Sequence, residues 1–189
     1  MRTTPIRLEP LTPDAFAQFG EIIAERDAPP VFAGPGLASW RMAYEAVGAS
    51  ELMVVRYDHR PLELTMLERH LNVSQSFVAL GGVPSVMVVA APTGEEAESL
   101  PAPGDLRAFL VPGGAGILLW RATWHALTRF PLRPEGGAFL MVTGRETQRE
   151  LERQNADGTP PKLTQVVDFA ARVGVRFEVV DPQGLLAAA

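Results

Sequence analysis

From residue 52 onward the chain is built of short apolar or alternating runs, at 52–57, 62–70, 75–80, 85–91, 107–111, 117–120 and 138–143. Between them stand turn formers, among them Gly82, Pro84, Pro92, Gly94, Pro101, Pro112, Gly113, Gly114, Pro134 and Gly136. Runs of strand length separated this regularly by residues that accept tight turns predict an all-β sandwich or barrel. Upstream, Thr12, Pro13 and Asp14 set a capping hydroxyl, a proline at the first helical position and an acid in the first turn, and Gly20 is placed to end one short helix. Residues 21–24 read as a strand, and 28–39, rich in Pro and Gly, as a loop able to cover a site. Near the end, 147–154 and 163–173 have helical character, and 175–180 reads as a last strand before an alanine-rich tail. The pattern shows no internal repeat.

Length and composition narrow the class. A chain of 189 residues suits one domain with a sizeable core, since domains commonly hold roughly 100–200 residues. The net charge of -5 and the absence of a basic stretch with interleaved aromatics argue against a nucleic-acid partner. No apolar run approaches the ~18 residues that span a bilayer, and no secretory leader pattern opens the chain, so the expectation is a cytoplasmic protein with no membrane partner. Cysteine is absent, which removes disulfides, thiolate nucleophiles and Cys-based zinc sites together. Lys162 is the only lysine and lies in a polar stretch after two prolines, which disfavours Schiff-base chemistry and with it a PLP cofactor.

Two clusters of polar residues carry the candidate chemistry. The first is Glu68-x-His70-x4-Gln75-x6-Gly82 and the second is Gly114-x10-His125. In an extended strand successive side chains alternate, so Glu68 and His70 share a face while Arg69 points away. Asn72, Val73 and Ser74 allow a turn, and a hairpin there would set Gln75 beside His70. His125 supplies a second imidazole after a Gly-rich turn. Convergent N and O ligands without sulfur suit a divalent ion such as Ni, Zn, Mn or Fe. The glycines at 113, 114 and 116 are followed by a strand pattern rather than a helix, so they mark a turn and not a nucleotide or flavin fingerprint.

The stretch from Thr65 through Glu68 and His70 to Gln75, Phe77 and Leu80 resembles the ureidoglycolate lyase family of cupin-fold proteins. So do the run Arg107-Ala108-Phe109-Leu110-x-Pro112-Gly113-Gly114-x-Gly116, the triplet Trp124-His125-Ala126 and the opening Leu8-x-Pro10-Leu11-Thr12 with Gln18 to Glu21. Together these cover most of 6–145, leaving 146–189 as a C-terminal addition within a single cupin-like domain. The resemblance implies a cupin-like double-stranded β-barrel, or jelly roll, with a few peripheral helices. In the wider cupin pattern Glu68 and His70 take the place of paired histidines, Gln75 that of a glutamate, and His125 that of the second-motif histidine. The customary Pro and Gly of that second motif are Trp120 and Ala122 here, and Leu127 stands where members carry proline.

The implied reaction is cleavage of (S)-ureidoglycolate to glyoxylate and urea in allantoin and purine breakdown, by a homodimer acting on a small molecule. The resemblance makes Glu68, His70 and His125 catalytic, and with Gln75 a metal set. A substrate carboxylate asks for an arginine fork, for which Arg107, Arg121 and Arg41 are the candidates, with Gln75 as a further substrate contact. His59 reads as a structural histidine, Trp124 as packing, and Glu95, Glu96 and Glu98 as a solvated surface. Two other classes accommodate the same residues: a different metal-dependent cupin enzyme on a small carboxylic acid, and a non-catalytic binder of such acids, for which Trp120, Ala122 and Leu127 are the motivating positions.

Overall fold

A computed structural model describes residues 1–94, 96 and 98–188. Its strands are β1 (Arg2–Pro10), β2 (Gly20–Ile23), β3 (Phe32–Gly34), β4 (Leu37–Ser39), β5 (Ser50–Tyr57), β6 (Glu63–Leu64), β7 (Met66–His70) and β8 (Gln75–Leu80), followed by β9 (Ser85–Ala90), β10 (Arg107–Val111), β11 (Gly116–Leu119), β12 (Trp124–Ala126), β13 (Phe130–Pro131), β14 (Gly137–Gly144), β15 (Thr164–Asp168) and β16 (Val175–Val180). Three helices accompany them, α1 (Pro13–Phe16), α2 (Arg145–Asp157) and α3 (Phe169–Val173). No helix among the described residues is long and apolar enough to cross a membrane.

Most predicted runs are strands within a residue or two of their expected bounds. The larger sheet runs β15-β7-β12-β9-β10-β1-β16-β6 with β13 beside β9, and the smaller runs β2-β11-β8-β14-β5. Phe77, Ile117, Leu119 and Met141 of the smaller sheet meet Met87, Val89, Phe109 and Val111 of the larger one in a shared core, with Phe16 and Phe19 of the α1 region at its side. The other face of the larger sheet curls over a second core, in which Leu67 and Val167 near one edge pack in the same cluster as Leu64, Val175 and Phe177 near the other. Every side chain of β9 is buried, because its alternate residues enter different cores. The result is the cupin-like jelly-roll barrel with few helices that the resemblance implied.

Four departures have physical causes. Helix α1 ends at Phe16 rather than near Gly20, which begins β2 instead. A Cβ at Gly20 would lie 1.9 Å from the Leu118 carbonyl oxygen, so only glycine lets the two backbones approach. The predicted loop 28–39 holds the exposed hairpin β3-β4. Residues 2–10, left without an element, form β1, which is parallel to β16 over Arg2–Arg7 and to β10 over Leu8–Pro10. Pro5 therefore falls where β10 is not yet paired, which is where a strand tolerates a missing N–H. Finally, 163–173 is not one helix. Thr164, Val166 and Val167 are β-branched and extend as β15, and Asp168 then caps α3 by accepting from the Ala170 and Ala171 amides.

The C-terminal strands lie within the larger sheet: β15 pairs with β7, and β16 with β1 and β6. Glu96 and Glu98 are exposed as expected, while Glu95 lies outside the described residues.

Candidate active site

The alternation along β7 sends Leu67 and Arg69 to one side, and Glu68 and His70 to the space between the sheets. Arg69 is buried on the far side, with its guanidinium 4.6 Å from the Trp124 ring and donating to the Thr93 and Gly94 carbonyls. Trp124 and His125 are adjacent on β12 and likewise face opposite ways, Trp124 into the second core and His125 beside Val89 and Glu68. Glu68, His70 and His125 thus meet, each offering a ligand atom within 4.8 Å of the others. The two imidazole rings are 5.3 Å apart, and both histidines are 3% exposed.

Burial governs the charges here. Both imidazoles are held neutral: burial pushes His70 down to about 3, helped by His125, and His125 down to about 4, where the nearby Arg129 charge adds to burial and the Ala126 carbonyl works against it. The same burial raises Glu68 to about 7. The 3.9 Å approach of His125 Nδ1 to Glu68 is therefore not an ion pair near neutral pH.

His125 donates from Nδ1 to the Ala126 carbonyl at 3.1 Å, which leaves the Nε2 lone pair buried and without a partner. A buried acceptor of this kind calls for a partner, an ordered water, an ion or a ligand. Gln75 faces the same interior, but not by the predicted hairpin: β7 and β8 belong to different sheets, so the chain crosses the barrel between His70 and Gln75. Its Oε1 is also buried and unpartnered. Two neutral imidazoles, a carboxylate and an unpaired amide oxygen fit a divalent ion of the Ni, Zn, Mn or Fe kind.

His70 Nδ1 shares a 2.9 Å hydrogen bond with the Thr164 hydroxyl of β15. The pattern 163–173 hid this residue by reading as helix. A partner of this kind fixes a ligand's ring, and losing one commonly costs about tenfold to a hundredfold. Thr164→Val is accordingly expected to lower kcat/KM on the order of tenfold while Thr164→Ser keeps it, as a steady-state assay of both variants would show.

Ala122 is the only non-glycine with positive φ among the described residues, at 61°, and its amide donates to the His70 carbonyl at 2.8 Å. This is the position where the second motif customarily has Gly. A methyl group in the left-handed region is strained, so Ala122→Gly is expected to stabilise the fold by about 1 kcal/mol in urea unfolding.

None of the three predicted arginines belongs to the cluster. Arg107 is bound to Glu9 through Nε and Nη2, donates to the Ala15 carbonyl, and lies over the Phe109 ring at 4.9 Å. Arg121 donates to the Leu71 carbonyl from an exposed position, and Arg41 is exposed. A fourth arginine, Arg129, is 1% exposed, with its guanidinium 5.1 Å from both the Phe77 and Phe139 rings and its charge felt at His125. Beside it Tyr57 is pushed up to about 12, chiefly by burial. The sequence signal for Arg129 was a lone charge in the otherwise uncharged stretch 122–132. His59 is structural as expected, its Nδ1 bonded to the Pro131 carbonyl at 2.9 Å. A separate cavity of about 670 Å³ beside α1 and β2, lined by Glu21, Arg26 and Trp120 among others, includes none of the cluster residues.

The sequence model of ureidoglycolate lyase matches residues 3–161. Among curated relatives, ureidoglycolate lyase of Pseudomonas paraeruginosa is 36% identical over 133 residues, covering 66% of this chain and 75% of its own. That of Rhodobacter capsulatus is 33% identical over 129 residues, covering 65% and 76%. Among solved structures, Bacillus subtilis oxalate decarboxylase aligns with 63% of this chain and 32% of its own at 18% identity and a TM-score of 0.33. With the family match spanning β1 to the end of α2 and including Glu68, His70, Gln75, His125 and Arg129, the chain belongs to the ureidoglycolate lyase family.

Proposed function

We propose that this protein cleaves (S)-ureidoglycolate to glyoxylate and urea, as a cytoplasmic late step of purine breakdown through allantoin. The observation that carries the reading is the convergence of Glu68, His70 and His125 inside the barrel of a chain from this family. His70, His125, Glu68 and the Gln75 amide oxygen would hold a divalent ion, which when bound stabilises negative charge on the substrate's carboxylate and hydroxyl oxygens.

The residues do the rest. The substrate hydroxyl loses its proton as the C–N bond breaks; the bonding pair leaves with the urea nitrogen, which gains a proton, and the carbinol carbon becomes the glyoxylate carbonyl. Glu68 is the group placed to carry that proton, since its carboxylate stands within ligand distance of both imidazoles. One oxygen suffices as a donor to the ion, so the other is available to the proton. The neutral imidazoles orient rather than titrate.

A homodimer fits the outer face of the smaller sheet, where Leu52 and Val54 on β5 are 68% and 66% exposed and Leu80 on β8 is 42% exposed. The test of the reaction is incubation of the purified protein with (S)-ureidoglycolate, following glyoxylate and urea with and without chelator. Release of both products, lost on chelation and restored by a divalent ion, is the expected result. Absence of either product from a metal-replete sample would overturn the reading.

A further inference from the structure

Arg129 is buried at 1% exposure in the same inter-sheet space as the cluster, and no residue named by the motifs accounts for it. Its Nη2 donates to the Ser85 hydroxyl at 3.1 Å, while Nε and Nη1 are buried with no partner. A guanidinium carries five N–H donors, so the free hydrogen of Nη2 together with that of Nε or Nη1 makes an unused two-pronged fork. No ion pair among the described residues includes Arg129. A buried cation without a counter-charge is costly enough that proteins rarely keep one idle.

The surroundings say what is missing. Arg129 stands near enough to His125 and Tyr57 for its charge to act on both, and Glu68 acts on the same Tyr57. Its flat faces rest against Phe77 and Phe139, which hold the guanidinium in one orientation. Phe77 shares its strand face with Gln75, whose Oε1 is itself unpartnered. Unused acceptors and lone pairs on the cluster side and unused donors on the arginine side are complementary to a small molecule that is anionic at one end. If a divalent ion also occupies the cluster, an anion between it and Arg129 relieves the repulsion of two cations.

The geometry points to Arg129 as the residue that binds the substrate's carboxylate, with the hydroxyl-bearing carbon turned toward Glu68, His70 and His125. The assignment of a small carboxylate stands on the fork alone; that the acid is ureidoglycolate rests on the reading above. Arg107, one of the three arginines named as candidates, cannot do this while Glu9 occupies its fork.

The test uses glycolate and its uncharged counterpart glycolamide as probes, with binding to the full-length protein followed by ligand-observed NMR, and circular dichroism to confirm folding of each variant. Wild type is expected to prefer glycolate. Arg129→Met is expected to lose about tenfold to a hundredfold in glycolate affinity, with glycolamide little changed, as for a hydrogen-bonded charge pair. Arg129→Lys guards against a misfolded methionine variant: it keeps the charge and loses the fork, so its glycolate affinity is expected to fall by about tenfold. A folded Arg129→Met that still prefers glycolate, an Arg129→Lys equal to wild type, or a wild type without the preference each overturns the assignment. Failure of the reaction reads differently: wild type that binds glycolate through Arg129 yet releases no glyoxylate and urea sinks the lyase reading alone. Turnover unimpaired in Arg129→Met sinks the arginine alone.

Discussion

Replacing either His70 or His125 by alanine is expected to lower kcat/KM for ureidoglycolate by on the order of a thousandfold or more, equivalent to about 4 kcal/mol of transition-state stabilisation. Each imidazole sits where no neighbour can substitute for it: His125 Nε2 has no protein partner, and His70 is held by Thr164 from a separate strand. Because both are neutral in the fold, their loss removes donors rather than charges. The two deletions should therefore weaken divalent-ion binding as well as turnover, and the double variant should be scarcely worse than either single one, since a shared centre fails as a unit. Steady-state assays and metal titrations on variants with an intact circular dichroism spectrum decide this. Activity equal to wild type in both variants removes these residues from the mechanism.

Metal-free protein is expected to be most stable near pH 6.5 and to lose stability on both sides of it. Glu68 has its carboxyl raised from 4.5 to about 7, so the folded state holds a proton that the unfolded chain has released. Its contribution is complete below about 4.5 and is lost as pH rises through about 7, a loss of about 3 kcal/mol at most. The histidines act in the opposite sense. Lowered from 6.5 to about 3 and about 4, they contribute stability that is present above 6.5 and drains away in acid. Glu68→Gln isolates the first effect: relative to wild type it should gain about 3 kcal/mol in urea unfolding between pH 4.5 and pH 8, in the presence of chelator. A wild-type-to-variant difference that does not move with pH contradicts it. In the loaded protein a divalent ion competes with that same proton, so ion affinity should fall as pH drops below about 7.

Much of this was legible because strand alternation is a strict rule. It alone put Glu68 and His70 on one face, turned Arg69 away, and set Trp124 opposite His125. Legibility failed where the deciding contact was remote in sequence. Gln75 was read through a hairpin because local turn chemistry permits one, and nothing local shows that the chain crosses to the facing sheet there. Thr164 was hidden by a stretch whose alanines and leucine suit a helix, although tertiary pairing with β7 fixes its first half as a strand. Arg107 was one of three candidate arginines, yet Glu9, 98 residues earlier, already occupies it. Arg129 lies in no quoted motif, and its value comes from what it fails to touch, a property that no spacing can encode.

The parallel seam between β1 and β16 has a bearing on biogenesis. Arg2 lies opposite Val175, so β1 waits on the ribosome for a strand made 173 residues later before it has that neighbour. Such long-range closure is slow relative to local hairpins and leaves an apolar edge bare in the interim. A nascent chain arrested before residue 175 should accordingly remain a client of chaperones, however complete its catalytic groups already are.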